Sequence, residues 1–403
     1  MTNEQKRIGW IDEFKGFVLL LVCLYHVEQS FPQAQMGMLH LSALRMSAFF
    51  FISGMLFSTR RFPDFKSYLV HKTRVLLLPY IFLSLLFLLL DPVLYNFEWF
   101  PRAPRMVIMT IRPEIHSVWD YIYWNLAKIF VAGKSSIGSG PLWFVFTLYS
   151  VSLLFYGVQC AARKISEILS PLRGSRMTAG VTALAAITSL AGGWFLYVNH
   201  IRLPLGIERD LTVLFFFANG WLCKGALKDP RLGSATLTTG RGDDKKERGD
   251  SSKRIIILAG ATIVAFAAYA YIEVPDPNFS IMNNDLGKSL PVFLTSSFFG
   301  IAGLVATFMF ADKLPNIAPF RIIKGILRNI SRNALVILAV HWYTLLVMRL
   351  LFRDTFNKPG IAYLAIPVVA TVVIGAIPLF RCKLYKLLGK QKISVRESLN
   401  IKD

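Results

Sequence analysis

Near its N-terminus the chain carries an unusual set of ionisable residues in an otherwise apolar run. Asp12, Glu13, Lys15, His26 and Glu28 all fall within IDEFKGFVLLLVCLYHVEQ. Ionisable groups inside such a run are costly unless they are used, which makes them functional candidates. Lys15 and His26 are eleven residues apart, within about 20° of three full helical turns, and about 16 Å apart along a helix axis. One helical stripe would therefore present an ammonium, able to grip an anionic ligand, and an imidazole, able to act as a base. The same spacing fits a plainer arrangement, in which Lys15 snorkels to the membrane surface and His26 hydrogen-bonds a neighbouring helix.

Four other stretches carry further candidates. SYLVHKTRVLLLPY (67–80) brings His71, Lys72 and Arg74 to the start of an apolar helix, with Pro79 expected to kink it. Basic residues there fix topology, and they also stand where a phosphorylated cytoplasmic ligand would dock, since Arg forks match phosphate oxygens. GPLWF (140–144) opens another helix with Pro141 and an interfacial Trp143. ISRNALVILAVHWY (330–343) places His341 about 15 Å into the membrane, at a depth similar to His26. In SAFFFISGMLFS (47–58), Ser47, Ala48, Ser53 and Gly54 are small residues suited to close helix packing, and Ser53 lacks a nucleophile-elbow context. The remaining histidines carry no spacing signal, and no metal-ligand motif appears, so no metal is expected.

The elements that must position these residues are helices in a bilayer. Of 403 residues 54% are apolar and only 17% charged, against about 25% charged in soluble domains. This excludes a soluble enzyme, a disordered chain and a disulfide scaffold; the four cysteines are scattered. An all-α polytopic membrane protein remains, with about ten transmembrane helices near 14–30, 43–59, 75–94, 141–162, 177–199, 210–226, 255–273, 289–311, 332–351 and 360–380. Segment 118–132 is aromatic but interrupted by Asp120 and Lys128, and reads as an interfacial or re-entrant amphipathic helix. No signal-peptide cleavage site is evident after the first run, and residues 1–403 read as a single transmembrane domain.

The net charge of +21 would suggest nucleic-acid binding in a soluble protein. Ten spans explain it otherwise. They place 33 of the 45 Lys and Arg residues on the side of both termini and 12 on the other. The positive-inside rule then makes both termini cytoplasmic. Stretch 228–254, rich in Gly, Ser and mixed charge, is expected to be a disordered cytoplasmic loop, with its two Arg-Gly-Asp triplets as ordinary loop chemistry.

Together these stretches resemble the acyltransferase-3 family of integral-membrane O-acyltransferases, and within it the fucose 4-O-acetylase-like branch. The resemblance lies in Asp12-Glu-Phe-Lys15-Gly16…His26, FFFISGMLFS (49–58), KTRVLLLPY (72–80), PLWF (141–144) and ISRNALVILAVHW (330–342), five stretches in family order. Lys15 stands where Arg is commonest in the family, a point charge in place of a planar fork. The resemblance implies transfer of an acetyl or other acyl group from cytoplasmic acetyl-CoA (acyl-CoA) to a carbohydrate hydroxyl. The acceptor would be a surface polysaccharide or lipid-linked glycan at the inner cell membrane. It implies that His26 is catalytic, as general base or acyl carrier, and that Lys15, Arg74 and Lys72 hold the donor. Glu28, Trp143 and His341 would line the acceptor site, while Trp99, Phe100, Trp119, Tyr121, Tyr123 and Trp124 suit sugar stacking or an aromatic belt. The alternative, a secondary transporter of a sugar or organic anion, would show repeats in its two halves, and none is visible.

Overall fold

Long charge-poor segments with no aqueous partner for their backbone groups must satisfy them internally, and helices do so. The computed structural model describes residues 9–59, 62, 64–96, 108, 111, 113–169, 174–227, 244–273, 279–315 and 317–390, and among them the fold is all-α with no strand beyond two isolated bridges. The helices are α1 (Gly9–Ser30), α2 (Ser42–Met55), α3 (Phe65–Lys72), α4 (Leu78–Asn96), α5 (Val118–Phe130), α6 (Trp143–Leu169) and α7 (Gly174–Val198). They continue with α8 (Ile207–Leu227), α9 (Asp244–Glu273), α10 (Leu290–Lys313), α11 (Ala318–Arg332), α12 (Ala334–Phe356) and α13 (Ala365–Pro378).

Seven helical stretches among the described residues are long and apolar enough to cross a membrane: Met38–Met55, Phe65–Pro92, Gly140–Leu169, Arg176–Val198, Leu290–Lys313, Ala334–Phe356 and Ile361–Lys383. The chain is thus a polytopic, multi-pass membrane protein. The other three expected spans also fall on helices. α1 and α8 carry ionisable residues within the helix, and α9 is apolar over Ile256–Ile272 only. Large apolar side chains point outward on α7 (Leu184, Ile187, Phe195), α9 (Ile256, Ile263, Val264) and α13 (Val372, Ile374). That is the surface a bilayer wets at no cost.

α1 lies at the centre, with Trp10, Phe14, Val18 and Leu19 buried, and packs on α2, α10, α11 and α12. Small residues set the closest crossings. On α2 and α8, Gly54 faces the Phe217 backbone and Gly220 faces the Phe51 backbone, so a Cβ at either position would collide with a carbonyl. The small-residue packing expected of α2 therefore has its counterpart on α8. Gly16 of α1 meets the Leu327 carbonyl of α11 in the same way.

Two expectations about loops are corrected. The segment 313–332, taken as cytoplasmic loop, contains α11, an amphipathic helix with Phe320, Ile322, Ile323 and Ile326 exposed on one face and Leu327 buried against α1. It is too short and too charged to span, which hid it from a hydropathy reading. Residues 244–254, expected to be disordered, are the first turns of α9, where Lys, Glu and Arg favour helix ahead of the apolar run; residues 228–243 lie outside the described set. Ahead of Pro79, where a kink is expected, the helix carries a π turn over Thr73–Leu77, in which Leu78 N–H bonds the Thr73 carbonyl. Pro79 cannot tolerate the carbonyl four residues before it, and the extra residue per turn moves Val75 aside.

Candidate active site

α1 runs unbroken from Gly9 to Ser30, so Lys15 and His26 share one helix and one stripe. α12 crosses α1 at the His26 level. There His26 Nδ1 lies 2.9 Å from His341 Nε2, and the rings stack with centroids 5.2 Å apart. His341 Nδ1 is 2.6 Å from the Ile337 carbonyl one turn earlier on α12. A carbonyl only accepts, so Nδ1 of His341 carries the proton. In the neutral ring Nε2 is then an acceptor, and His26 Nδ1 must donate to it. The chain of bonds leaves the lone pair of His26 on Nε2. A helix backbone thereby fixes the tautomer of two rings in series, as a carboxylate fixes the histidine in a catalytic triad. His341 is 1% exposed, whereas His26 is only partly buried.

Two further residues shape this point. The Trp342 indole stands edge-on to His26 with centroids 5.0 Å apart, and its Nε1–H donates to the Ile137 carbonyl at 2.7 Å. The loop before α6 is thus tied to the histidine pair. Arg45, buried at the start of α2, lies with its guanidinium 3.9 Å from the Tyr25 ring centre, and it donates to the Met38 carbonyl. It is close enough to His26 for their charges to interact. Sequence reading counted Arg45 only as an outer-side charge and took Trp342 only as part of a motif. The signals were an Arg opening an apolar run and an aromatic beside His341.

Other expected site residues are placed less directly. One carboxylate oxygen of Glu28 accepts the Met38 backbone N–H at 2.7 Å, holding the α1–α2 connection. Trp143 does not reach the histidines; it sits 5.4 Å from the Arg209 guanidinium, which is itself flanked by Asp210. Tyr121 is buried and donates to Asp91 at 2.9 Å, while Trp119 and Tyr123 are exposed on α5. Trp99 and Phe100 lie outside the described residues. α5 starts where Ser117 and Asp120 cap each other's backbone N–H groups, and these bonds hold the Asp120 carboxyl below its usual range.

At the other end of α1 the basic residues divide between two faces. Lys72 lies over the Tyr68 ring, 5.4 Å from its centre, and close enough to Lys15 for the two charges to repel. His71 and Arg74 face away and line an open groove of about 400 Å³ with Asp64, Lys66, Ser67 and Val70. Asp64 caps α3, and the hydroxyl and backbone N–H of Ser67 hold its carboxyl below the ordinary value. Nearby, buried Glu13 accepts two bonds from Arg328 of α11, at 3.0 and 2.6 Å.

Comparison with known proteins gives one match. A family profile described as an acyltransferase domain fits residues 8–380, nearly the whole chain. No curated protein and no solved structure matches the chain.

Proposed function

The chain belongs to the acyltransferase-3 family of membrane acyltransferases, and from that premise we propose that it is an O-acetyltransferase using cytoplasmic acyl-CoA and a carbohydrate hydroxyl at the inner cell membrane. The observation that carries the reading is the His26–His341 pair, whose bonding leaves an imidazole lone pair on a partly exposed ring. In the proposed reaction, His26 Nε2 takes the proton of the acceptor hydroxyl as its oxygen attacks the thioester carbonyl. The C–S bond breaks, an ester forms, and the proton passes from His26 to the departing thiolate. His341 is a positioning residue: its Nε2 accepts from His26 throughout and stabilises the imidazolium formed in mid-reaction. Arg45, at the same end of α1, is assigned to favour the oxyanion of the tetrahedral intermediate.

Donor and base are assigned to opposite ends of one stripe. With both termini cytoplasmic, Lys15 and Lys72 lie at the cytoplasmic mouth and His26 about 16 Å deeper. A flexible pantetheine arm bridges that kind of distance, so the phosphates need not enter the membrane. Arg74, exposed in the π turn that follows α3, would meet the donor on approach. Glu28, Trp143 and the α5 aromatics are assigned to the acceptor side.

The test is label transfer. Purified protein in nanodiscs is given acetyl-CoA labelled in the acetyl group together with a surface-glycan acceptor. Labelled glycan ester should form with wild type and not with His26→Ala. Wild-type rates from His26→Ala would sink the assignment.

A further inference from the structure

The chain after α13 folds back over the Lys15 end of α1. Its π turn, Leu379–Lys383, buries Phe380, and Leu388 further on is 1% exposed. Gly389, at φ +61°, seats on the Arg74 carbonyl, where a Cβ would not fit. Lys390 then reaches the end of α11 and donates from Nζ to the Arg332 carbonyl at 2.6 Å. This path brings Lys390 close enough to Lys15 and Arg381 for their charges to repel, as Lys15 repels Lys72. Arg381 keeps a buried Nε with no hydrogen-bond partner among the described residues.

Four cations thus converge from three separate parts of the sequence. Among the described residues, Lys72, Arg381 and Lys390 have no carboxylate within ion-pair distance. Glu13, the nearest buried acid on α1, is taken by Arg328. Gathering like charges at a half-buried surface costs free energy that a bound polyanion would offset. Backbone fit at Gly389 and the Lys390 bond to Arg332 hold the segment in place, so the charges are fixed rather than free to spread.

We propose that Arg381 and Lys390, from the segment after the last helix, complete with Lys15 and Lys72 a binding site for the phosphates of a phosphorylated acyl donor. The naming of that donor as acyl-CoA rests on the function proposed above; the phosphate site itself does not. Lys390 closes the site from the C-terminal side, and Arg381 supplies the one planar fork among three point charges.

The test is calorimetric titration of the full-length protein in nanodiscs with coenzyme A and, separately, inorganic pyrophosphate. Arg381→Gln and Lys390→Gln should each weaken both ligands about tenfold, as loss of one charge-assisted contact does. Their far-UV circular dichroism should match wild type, and Lys390→Arg should restore binding. Unchanged coenzyme A affinity in both Gln variants overturns the site while leaving the acyl-CoA reading intact. Wild-type binding of pyrophosphate but not coenzyme A upholds the site and overturns that reading. Should a variant fail to fold, amine-reactive labelling of wild type substitutes: pyrophosphate should protect Lys390 and Lys72, and unprotected lysines refute the proposal.

Discussion

The two ends of α1 solve opposite electrostatic problems. At the His26 end, two rings are held by a series of bonds that ends on a backbone carbonyl, with no carboxylate in the series. At the Lys15 end, four cations are gathered, and among the described residues Lys72, Arg381 and Lys390 have no carboxylate within ion-pair distance. The first arrangement is satisfied internally except for one lone pair, so it is suited to moving a proton. The second gathers like charges, so it is suited to receiving an anion from outside. A single helix carries both because eleven residues bring its faces back into line.

The sharpest way to break this contrast is at the histidines. His26→Ala should lower acyl transfer about 10²–10⁴-fold, the range for a lost general base, with donor affinity by calorimetry unchanged. A fall in donor affinity of similar size would merge the two regions into one site. Next, His341→Ala should lower kcat about 10²-fold with little effect on the donor KM, as expected of a group that orients and stabilises the base. His341→Gln, which keeps an acceptor, should recover part of the rate. A matched loss of KM and kcat would instead assign His341 to substrate binding.

The cytoplasmic end yields a pH signature. Burial, then Arg381 and Lys15, hold the Lys390 ammonium down to about 7 from the usual lysine value. The groups facing it are Arg381, Lys15 and the Arg332 carbonyl, with Lys72 beyond Lys15. Coenzyme A affinity should therefore fall as pH rises through about 7 and Lys390 loses its proton. In Lys390→Arg, which keeps its charge, the fall near pH 7 should disappear. Stability of the ligand-free protein should move the other way. Between about 7 and the ordinary lysine value the unfolded chain binds the extra proton, so stability rises with pH across that window.

A smaller effect tests the scaffold between the two ends. Gly16→Ala places a methyl against the Leu327 carbonyl and should cost about 1–3 kcal/mol, the usual range for overpacking. Thermal unfolding should register this, and because α11 shifts away from α1, donor binding should weaken more than the intrinsic reactivity of His26. An unchanged melting temperature would show that the α1–α11 crossing is looser than its backbone contact implies.

Much of the site was legible from spacing. A stripe joining Lys15 to His26 needs only the helical repeat, and the depth of His341 needs only the rise per residue. The fold class followed from apolar runs for the same reason, since the bilayer dictates helix. Arg45 and Trp342 were harder to find, because each is informative only beside His26. The helix α11 escaped because its apolar residues alternate with Arg and Lys, which lowers mean hydropathy while leaving a continuous apolar face. Arg74 and Lys72, grouped as one basic cluster by sequence, are divided between two faces because two residues are about half a helical turn.

By itself the sequence determined which residues could be helical, which of them were costly enough in a membrane to demand a purpose, and which family they resemble. Those are local properties, set by periodicity, hydropathy and motif. Only the tertiary structure decided that His26 meets His341 across 315 residues, that a backbone carbonyl settles their tautomers, and that residues 381–390 return to Lys15. Such meetings depend on how helices cross, and crossings are fixed by close contacts such as Gly16 on Leu327 and Gly54 on Phe217. No one-dimensional pattern encodes a contact between two helices until both have been packed.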